Sequence, residues 1–144
     1  MNENNTVSIF FADVNGDGYQ DLIRASMLDG VTYDDDIYIH QNLGDGTLSS
    51  TAVVLYTVED VVVVKAADFD GDGDQDVIFV ADIGDRVFKS LGSDEDTSYW
   101  STIHLLFNDG YGRLSEDFSK YENNVPPRLP APYRVEVGDF NKDG

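Results

Sequence analysis

Residues 66–78 read AADFDGDGDQDVI, and residues 11–23 read FADVNGDGYQDLI. Eight of the 13 paired positions are identical, so the chain repeats an Asp-rich motif. A third copy, GDFNKDG, begins at Gly138. Counted between their first aspartates, the copies are 55 and 71 residues apart. Repeats of about this length are typical of propeller blades and similar arrays.

The sequence around the motifs predicts an all-β fold. Val-rich runs and aromatic residues, including eight Tyr and eight Phe, favour strands, and no strong helical period is visible. Asn- and Gly-rich turns at residues 42–46 and 108–112 reverse the chain after two of these strands. The predicted strands are residues 6–12, 21–27, 36–41, 51–57, 61–68, 76–81, 86–90, 102–107 and 133–139.

The repeats divide the chain into two complete units and the start of a third. These units are residues 1–58, residues 59–132 and residues 133–144. The polar segment 93–101 is predicted to be a surface insertion in the second unit. The Pro-rich run 125–132 cannot pair as an interior strand, and we expect an ordered connection between repeats there. Its Pro-x-x-Pro pattern leaves open a role as a ligand for an aromatic groove.

The charge balance excludes several classes of partner. The chain holds 28 Asp and Glu residues against 9 Lys and Arg, a formal charge of −19. Nucleic acids and anionic membrane surfaces are disfavoured, because both require Lys and Arg, whereas cations are attracted. Cysteine is absent, so zinc is a poor candidate. No apolar stretch is long enough for membrane insertion, and the N-terminus lacks the features of a signal peptide.

The two complete Asp-rich loops, residues 13–21 and 68–76, have the pattern of calcium sites. Calcium takes six to eight oxygen ligands, and carboxylates at alternate positions of a curled loop converge on one point. Solvated acidic turns are the alternative, but so many carboxylates repel one another unless a cation lies among them. Magnesium is disfavoured because it prefers fewer protein ligands. Asn15 is neutral, so the first loop is predicted to bind calcium more weakly than the second.

An EF-hand is excluded, because its loop needs a Glu at the twelfth position and a helix after it. The twelfth residues of the two loops are Arg24 and Phe79. Each loop instead closes on its ninth residue and leads into a predicted strand. The strand, the loop, the second strand and the later Asn-x-Gly-Asp-Gly turn resemble the FG-GAP/VCBS repeats, which build the β-propellers of integrin α-chains and of many secreted microbial proteins.

This resemblance implies blades of four antiparallel strands around a central axis, with calcium in the hairpin between the first two strands. It also implies an extracellular or cell-surface location. The implied calcium ligands are Asp13, Asn15, Asp17, Tyr19 (carbonyl) and Asp21; Asp68, Asp70, Asp72, Asp74 (carbonyl) and Asp76; and Asp139, Asn141 and Asp143 of the third loop. In that third loop Lys142 replaces a Gly, and the position of the closing Asp lies beyond the sequence.

Complete propellers of this kind have more blades than this partial propeller supplies. The chain therefore is expected to be a fragment, to assemble with other copies through open blade edges, or to fold as an open array. The interrupted third motif favours a fragment.

Nothing in the sequence predicts an enzyme. His40 and His104 each lie in a predicted strand, and no nucleophile elbow, phosphate loop or metalloprotease helix is present. We expect a module for adhesion, carbohydrate or protein binding, or scaffolding, in which calcium is structural. Tyr99 and Trp100 either stack on such a partner or cap the core. The alternative is a non-catalytic repeat region of a larger secreted polysaccharide-degrading hydrolase or lyase.

Overall fold

The computed structural model describes residues 5–27, 34–59, 61–82, 100–130 and 134–138, which form two antiparallel sheets. The strands are β1 (Asn5–Ala12), β2 (Asp21–Met27), β3 (Asp34–His40), β4 (Val53–Glu59), β5 (Val61–Ala67), β6 (Asp76–Asp82), β7 (Trp100–Asn108), β8 (Leu114–Glu116) and β9 (Arg128–Pro130). Two short 3₁₀ turns, Phe118–Lys120 and Glu122–Asn124, lie between β8 and β9. The predicted all-β class is confirmed.

Each sheet is a meander of sequential strands, as expected of a propeller blade. The first sheet has the order β1-β2-β3-β4 and the second has the order β5-β6-β7-β8. The short strand β9 pairs with β7 beyond the end of β8, so two separate segments form this edge of the second sheet. The two sheets are therefore partial propeller blades. The repeat boundaries 1–58, 59–132 and 133–144 stay predictions.

Three differences from the predicted strands concern the second sheet and the residues after it. Residues 128–130 of the Pro-rich run do form a strand, at the sheet edge, where a missing Pro N–H costs no interior ladder bond. The short strand β8 was not predicted, because three residues carry too little alternation. The strand predicted at 133–139 is wrong for residues 134–138, which pair with no strand in the described chain. The predicted strand at 86–90 lies outside the described residues.

The core lies between the two sheets, because alternate residues of each face the other sheet. Strand β1 packs against β5, and the backbone N–H of Val64 donates to Oγ of Ser8 at 3.1 Å. Residues 61–67 are apolar except for Lys65, a pattern typical of a strand buried on both faces or of the inner strand of a blade. Burial in β5 alternates, and β6 is the strand whose residues 76–81 are all buried. The core side chains include Ile23, Ala25, Ile37, Ile39, Val64, Ala66, Val77, Phe79 and Leu106.

A half-buried polar network joins the sheets beside this core. The Tyr56 hydroxyl, from the first sheet, donates to Oε2 of Glu116 at 2.9 Å, and the Tyr121 hydroxyl donates to Oε1 at 3.0 Å. Nδ1 of His104 lies 2.8 Å from the same Oε1, and its ring stacks on Phe79 with centroids 4.7 Å apart. Burial, and then the Glu116 carboxylate, raise the pKa of Tyr56 to about 12. His104 therefore has a structural role in the polar network that joins the two sheets.

The turn after β3 offers a controlled test of how it supports the first Asp-rich loop. Gly44 and Gly46 both have positive φ, 75° and 88°. A Cβ on Gly44 would lie 2.8 Å from Cε2 of Tyr19, whereas a Cβ on Gly46 would meet nothing within 4 Å. Both Gly→Ala variants should lose about 1–2 kcal/mol to left-handed backbone strain. We expect Gly44→Ala to lower the melting temperature further, because it also displaces Tyr19. Equal melting temperatures would contradict this packing.

Candidate metal centres

The second Asp-rich loop, residues 68–76, connects β5 to β6 and is curled by hydrogen bonds to its first residue. Oδ1 of Asp68 accepts from the N–H of Gly71 at 2.7 Å, and Oδ2 accepts from the N–H of Gly73 at 3.0 Å. Both glycines have positive φ, 80° and 98°, which side chains with a Cβ rarely adopt. The glycine spacing therefore lets one carboxylate organise the whole loop.

Three carboxylates of this loop converge. Asp68, Asp70 and Asp76 each place one oxygen within 4.8 Å of the others. Oxygens that surround a calcium ion at about 2.3–2.6 Å lie up to roughly 5 Å apart, so this spacing fits the ion. A carboxylate oxygen has two lone-pair sites, so those that accept a hydrogen bond can still face a cation. Asp72 lies outside this cluster, and its Oδ1 accepts from the N–H of Asp74 at 2.9 Å.

The first loop, residues 13–21, is curled in the same way, but its side chains make different hydrogen bonds with one another. The two oxygens of Asp13 accept from the N–H groups of Gly16 and Gly18, both at 2.8 Å. Nδ2 of Asn15 donates to Oδ2 of Asp17 at 2.9 Å, so the neutral amide is bonded to a neighbouring carboxylate. Within the described residues, no three carboxylates of this loop place their oxygens within 4.8 Å of one another, as Asp68, Asp70 and Asp76 do in the second loop.

The closing aspartates, Asp21 and Asp76, differ from the other acidic residues of the two loops because they are completely buried. Oδ2 of Asp76 accepts from the N–H of Phe69, and Oδ1 accepts from the N–H of Asn108, both at 2.8 Å. Burial raises the pKa of Asp76, and the nearby charges of Asp70 and Asp72 add to the effect, while the two N–H donors oppose it. The closing aspartate therefore joins the loop to the end of β7.

Asp21 has the same position in the first sheet. Its Oδ1 accepts from the N–H of Asn42 at 2.8 Å, and its Oδ2 accepts from the N–H of Val14 at 3.4 Å. Burial raises the pKa of Asp21, and the charges of Asp17 and Asp13 raise it further. From sequence alone, Asn42 and Asn108 are interpreted only as turn residues. Their recurrence after the third strand of each repeat was the signal that they support the loops.

The seventh loop positions lie against the turns that follow β3 and β7. Tyr19 is half-exposed beside Gly44, and a Cβ on Gly110 would lie 2.5 Å from Oδ2 of Asp74. Asp139, Asn141 and Asp143 lie outside the described residues, as does Tyr99, and the backbone of Trp100 pairs with Pro130 in the sheet.

The sequence that contains both Asp-rich loops matches a known family of repeats. Residues 13–79 match the model of the FG-GAP-like repeat. This part of the chain is similar to an FG-GAP-like repeat. The match begins at the first residue of one loop and ends in β6, so it includes both complete Asp-rich loops. The resemblance drawn from the sequence is confirmed. No curated protein and no solved structure matches the chain.

The FG-GAP-like repeat is a non-catalytic repeat, and its acidic cluster of Asp68, Asp70 and Asp76 could hold a metal ion. Within the described residues, no helix has the length and apolar character needed to cross a membrane.

Proposed function

We propose that this chain is a calcium-binding β-propeller repeat module in which the ion is structural. The observation that supports the proposal is the convergence of Asp68, Asp70 and Asp76 at the mouth of the β5–β6 hairpin. Without a cation, these carboxylates repel one another where two strands must pair. The wider chain strengthens this effect, because its formal charge is −19. Calcium would relieve the repulsion where it is most concentrated.

The module is proposed to bind protein or carbohydrate in adhesion or scaffolding, at the cell surface or outside the cell. Both Asp-rich loops lie within the FG-GAP-like match and offer carboxylate oxygens to calcium, which supports this role. Extracellular calcium modules bind the ion at about 10⁻⁴–10⁻³ M. Sites of that affinity fill where calcium is millimolar. The same location accommodates a repeat region attached to a secreted enzyme, which the length of the parent reading frame would reveal.

Calcium titration tests the proposed sites directly. We expect two sites, with the loop at residues 68–76 tighter than the loop at 13–21, because only the second brings three carboxylates together in the described chain. Affinities should lie at about 10⁻⁴–10⁻³ M, with magnesium bound more weakly. Calorimetric titration of the intact chain gives the stoichiometry and the ion preference. Tighter binding at the first loop, or a preference for magnesium, would contradict the ligand assignment.

The outer face of the first sheet is proposed as the surface that associates with a second copy. Ile9 and Phe11 are 58% and 48% exposed, whereas the equivalent residues of the second repeat, Val64 and Ala66, are buried against the first sheet. The same repeat position is therefore covered in one sheet and open in the other, and an open apolar face favours association.

Light scattering tests this association. We expect the isolated chain to form dimers or larger species, and we expect Phe11→Ser to shift it towards monomer. Val125→Ser is the control, because Val125 is similarly exposed, at 50%, but lies in the connection before β9. A compact monomer at high protein concentration would refute the proposed surface.

A further inference from the structure

A chain of hydrogen bonds connects the closing aspartates of the two loops. The N–H of Val14 donates to Asp21 at 3.4 Å, and the carbonyl of Val14 accepts from Nδ2 of Asn108 at 2.8 Å. The backbone N–H of Asn108 in turn donates to Asp76 at 2.8 Å. All four residues are buried, so water does not compete for these bonds. We call this series, Asp21–Val14–Asn108–Asp76, the inter-loop connection.

The repeat itself contains a comparison that isolates the role of Asn108. The side-chain amide of Asn42 donates to the carbonyl of Gln20 at 3.1 Å, and that of Asn108 donates to the equivalent carbonyl of Gln75 at 3.0 Å. Among the described residues, the Asn108 amide also donates to the other repeat, at the carbonyl of Val14, whereas the Asn42 amide makes no such bond. The two asparagines therefore share their bonds within a sheet and differ by one bond between sheets.

The turn after Asn108 also lies against the first loop. A Cβ on Gly112 would lie 3.4 Å from Cβ of Asn15, and a Cβ on Gly16 would lie 3.6 Å from the carbonyl oxygen of Gly110. The backbone around Asn108 therefore contacts the loop that holds Asp13 and Asp17. The turn therefore lies close to the first loop at a second place besides the hydrogen bond to Val14.

We propose that Asn108 couples the two loops, so that calcium bound at one raises the affinity at the other. This inference rests on the proposed calcium function. An ion in the second loop fixes Asp76, which fixes the backbone of Asn108 and, through its side chain, the peptide of Val14. The first loop then starts from an ordered closing aspartate. Because coupling between binding sites is reciprocal, calcium in the first loop strengthens the second by the same factor.

Site-resolved titration by NMR measures this coupling. The amides of Gly18 and Gly73 report the two loops separately, since each donates to the first aspartate of its own loop. Asp70→Ala disables the second loop and removes an exposed side chain. We expect it to weaken calcium binding at Gly18 by about fivefold or more, the lower end of measured couplings between sites. In an Asn108→Ser background the same substitution should leave the Gly18 titration almost unchanged.

Two controls separate coupling from other causes. In an Asn42→Ser background, Asp70→Ala should still weaken the first loop, because the bond between the sheets remains. A general charge effect of Asp70 would persist in the Asn108→Ser background, and that result would overturn the inference. So would an unchanged Gly18 affinity in Asp70→Ala alone, a comparison that does not depend on any Asn108 variant folding. Absence of a calcium response at both glycines would instead refute the proposed function, and the coupling with it.

Discussion

Removal of calcium with a chelator is expected to lower the melting temperature of this chain by many degrees. An ion that binds only the folded state stabilises it by RT ln(1 + [Ca²⁺]/Kd), about 2.7 kcal/mol per site at a hundredfold excess over Kd. For a domain of this size, 1 kcal/mol shifts the melting temperature by roughly 2–5 °C. At that excess for both loops, which needs about 10 mM calcium for a Kd of about 10⁻⁴ M, the shift is about 10–25 °C. The corresponding free energy is a large share of the stability of an ordinary domain.

Differential scanning calorimetry with chelator, with calcium and with magnesium at equal ionic strength tests this expectation. Magnesium is the control for general screening of the −19 charge, and it should recover only a small part of the loss. Superimposable curves in chelator and calcium would show that the ion does not hold the fold together. A structural ion stabilises one folded state, whereas a sensor requires a second folded state for calcium to favour.

The second large effect is expected from Asp76→Ala, with or without calcium. Asp76 is buried and accepts two backbone hydrogen bonds, from Phe69 and Asn108. Its loss leaves the buried N–H of Asn108 and the half-buried N–H of Phe69 without partners, at a cost of up to about 1–3 kcal/mol each. We therefore expect a loss of roughly 2–6 kcal/mol in the free energy of unfolding, measured by urea titration in the presence of chelator.

Asp70→Ala is the matched control, because Asp70 belongs to the same carboxylate cluster but is exposed. In the described part of the chain, the structure gives its side chain no hydrogen bond. In chelator this variant should be as stable as the original chain or slightly more stable, since one repulsive charge near Asp76 is gone. In calcium it should lose part of the stabilisation by the ion. If both variants were equally destabilised in chelator, the structural role of Asp76 would be refuted.

Most of the fold was predictable from local sequence. The two Asp-rich loops, with glycines at fixed positions and apolar runs on either side, determine hairpins whose strands begin and end close to the predicted residues. The all-β class and the repeat family follow from the same pattern. These features are local, because the loop bonds of Asp68 reach only three and five residues along the chain.

Only the tertiary structure distinguished residues that the motif presents as equivalent. In sequence, Asp70 and Asp76 are both loop carboxylates, yet Asp70 is exposed and Asp76 is buried. Asp76 also accepts a hydrogen bond from the backbone N–H of Asn108, which lies 32 residues further along the chain. Asn42 and Asn108 also begin equivalent turns in the sequence. In the described chain, however, it is the Asn108 side chain that donates a hydrogen bond to Val14, 94 residues away in sequence. Residues 128–130 of the Pro-rich run form a strand because they pair with the part of β7 that extends beyond β8. Repeated motifs determine local conformation, whereas burial and contacts between sheets depend on which copy lies next to which.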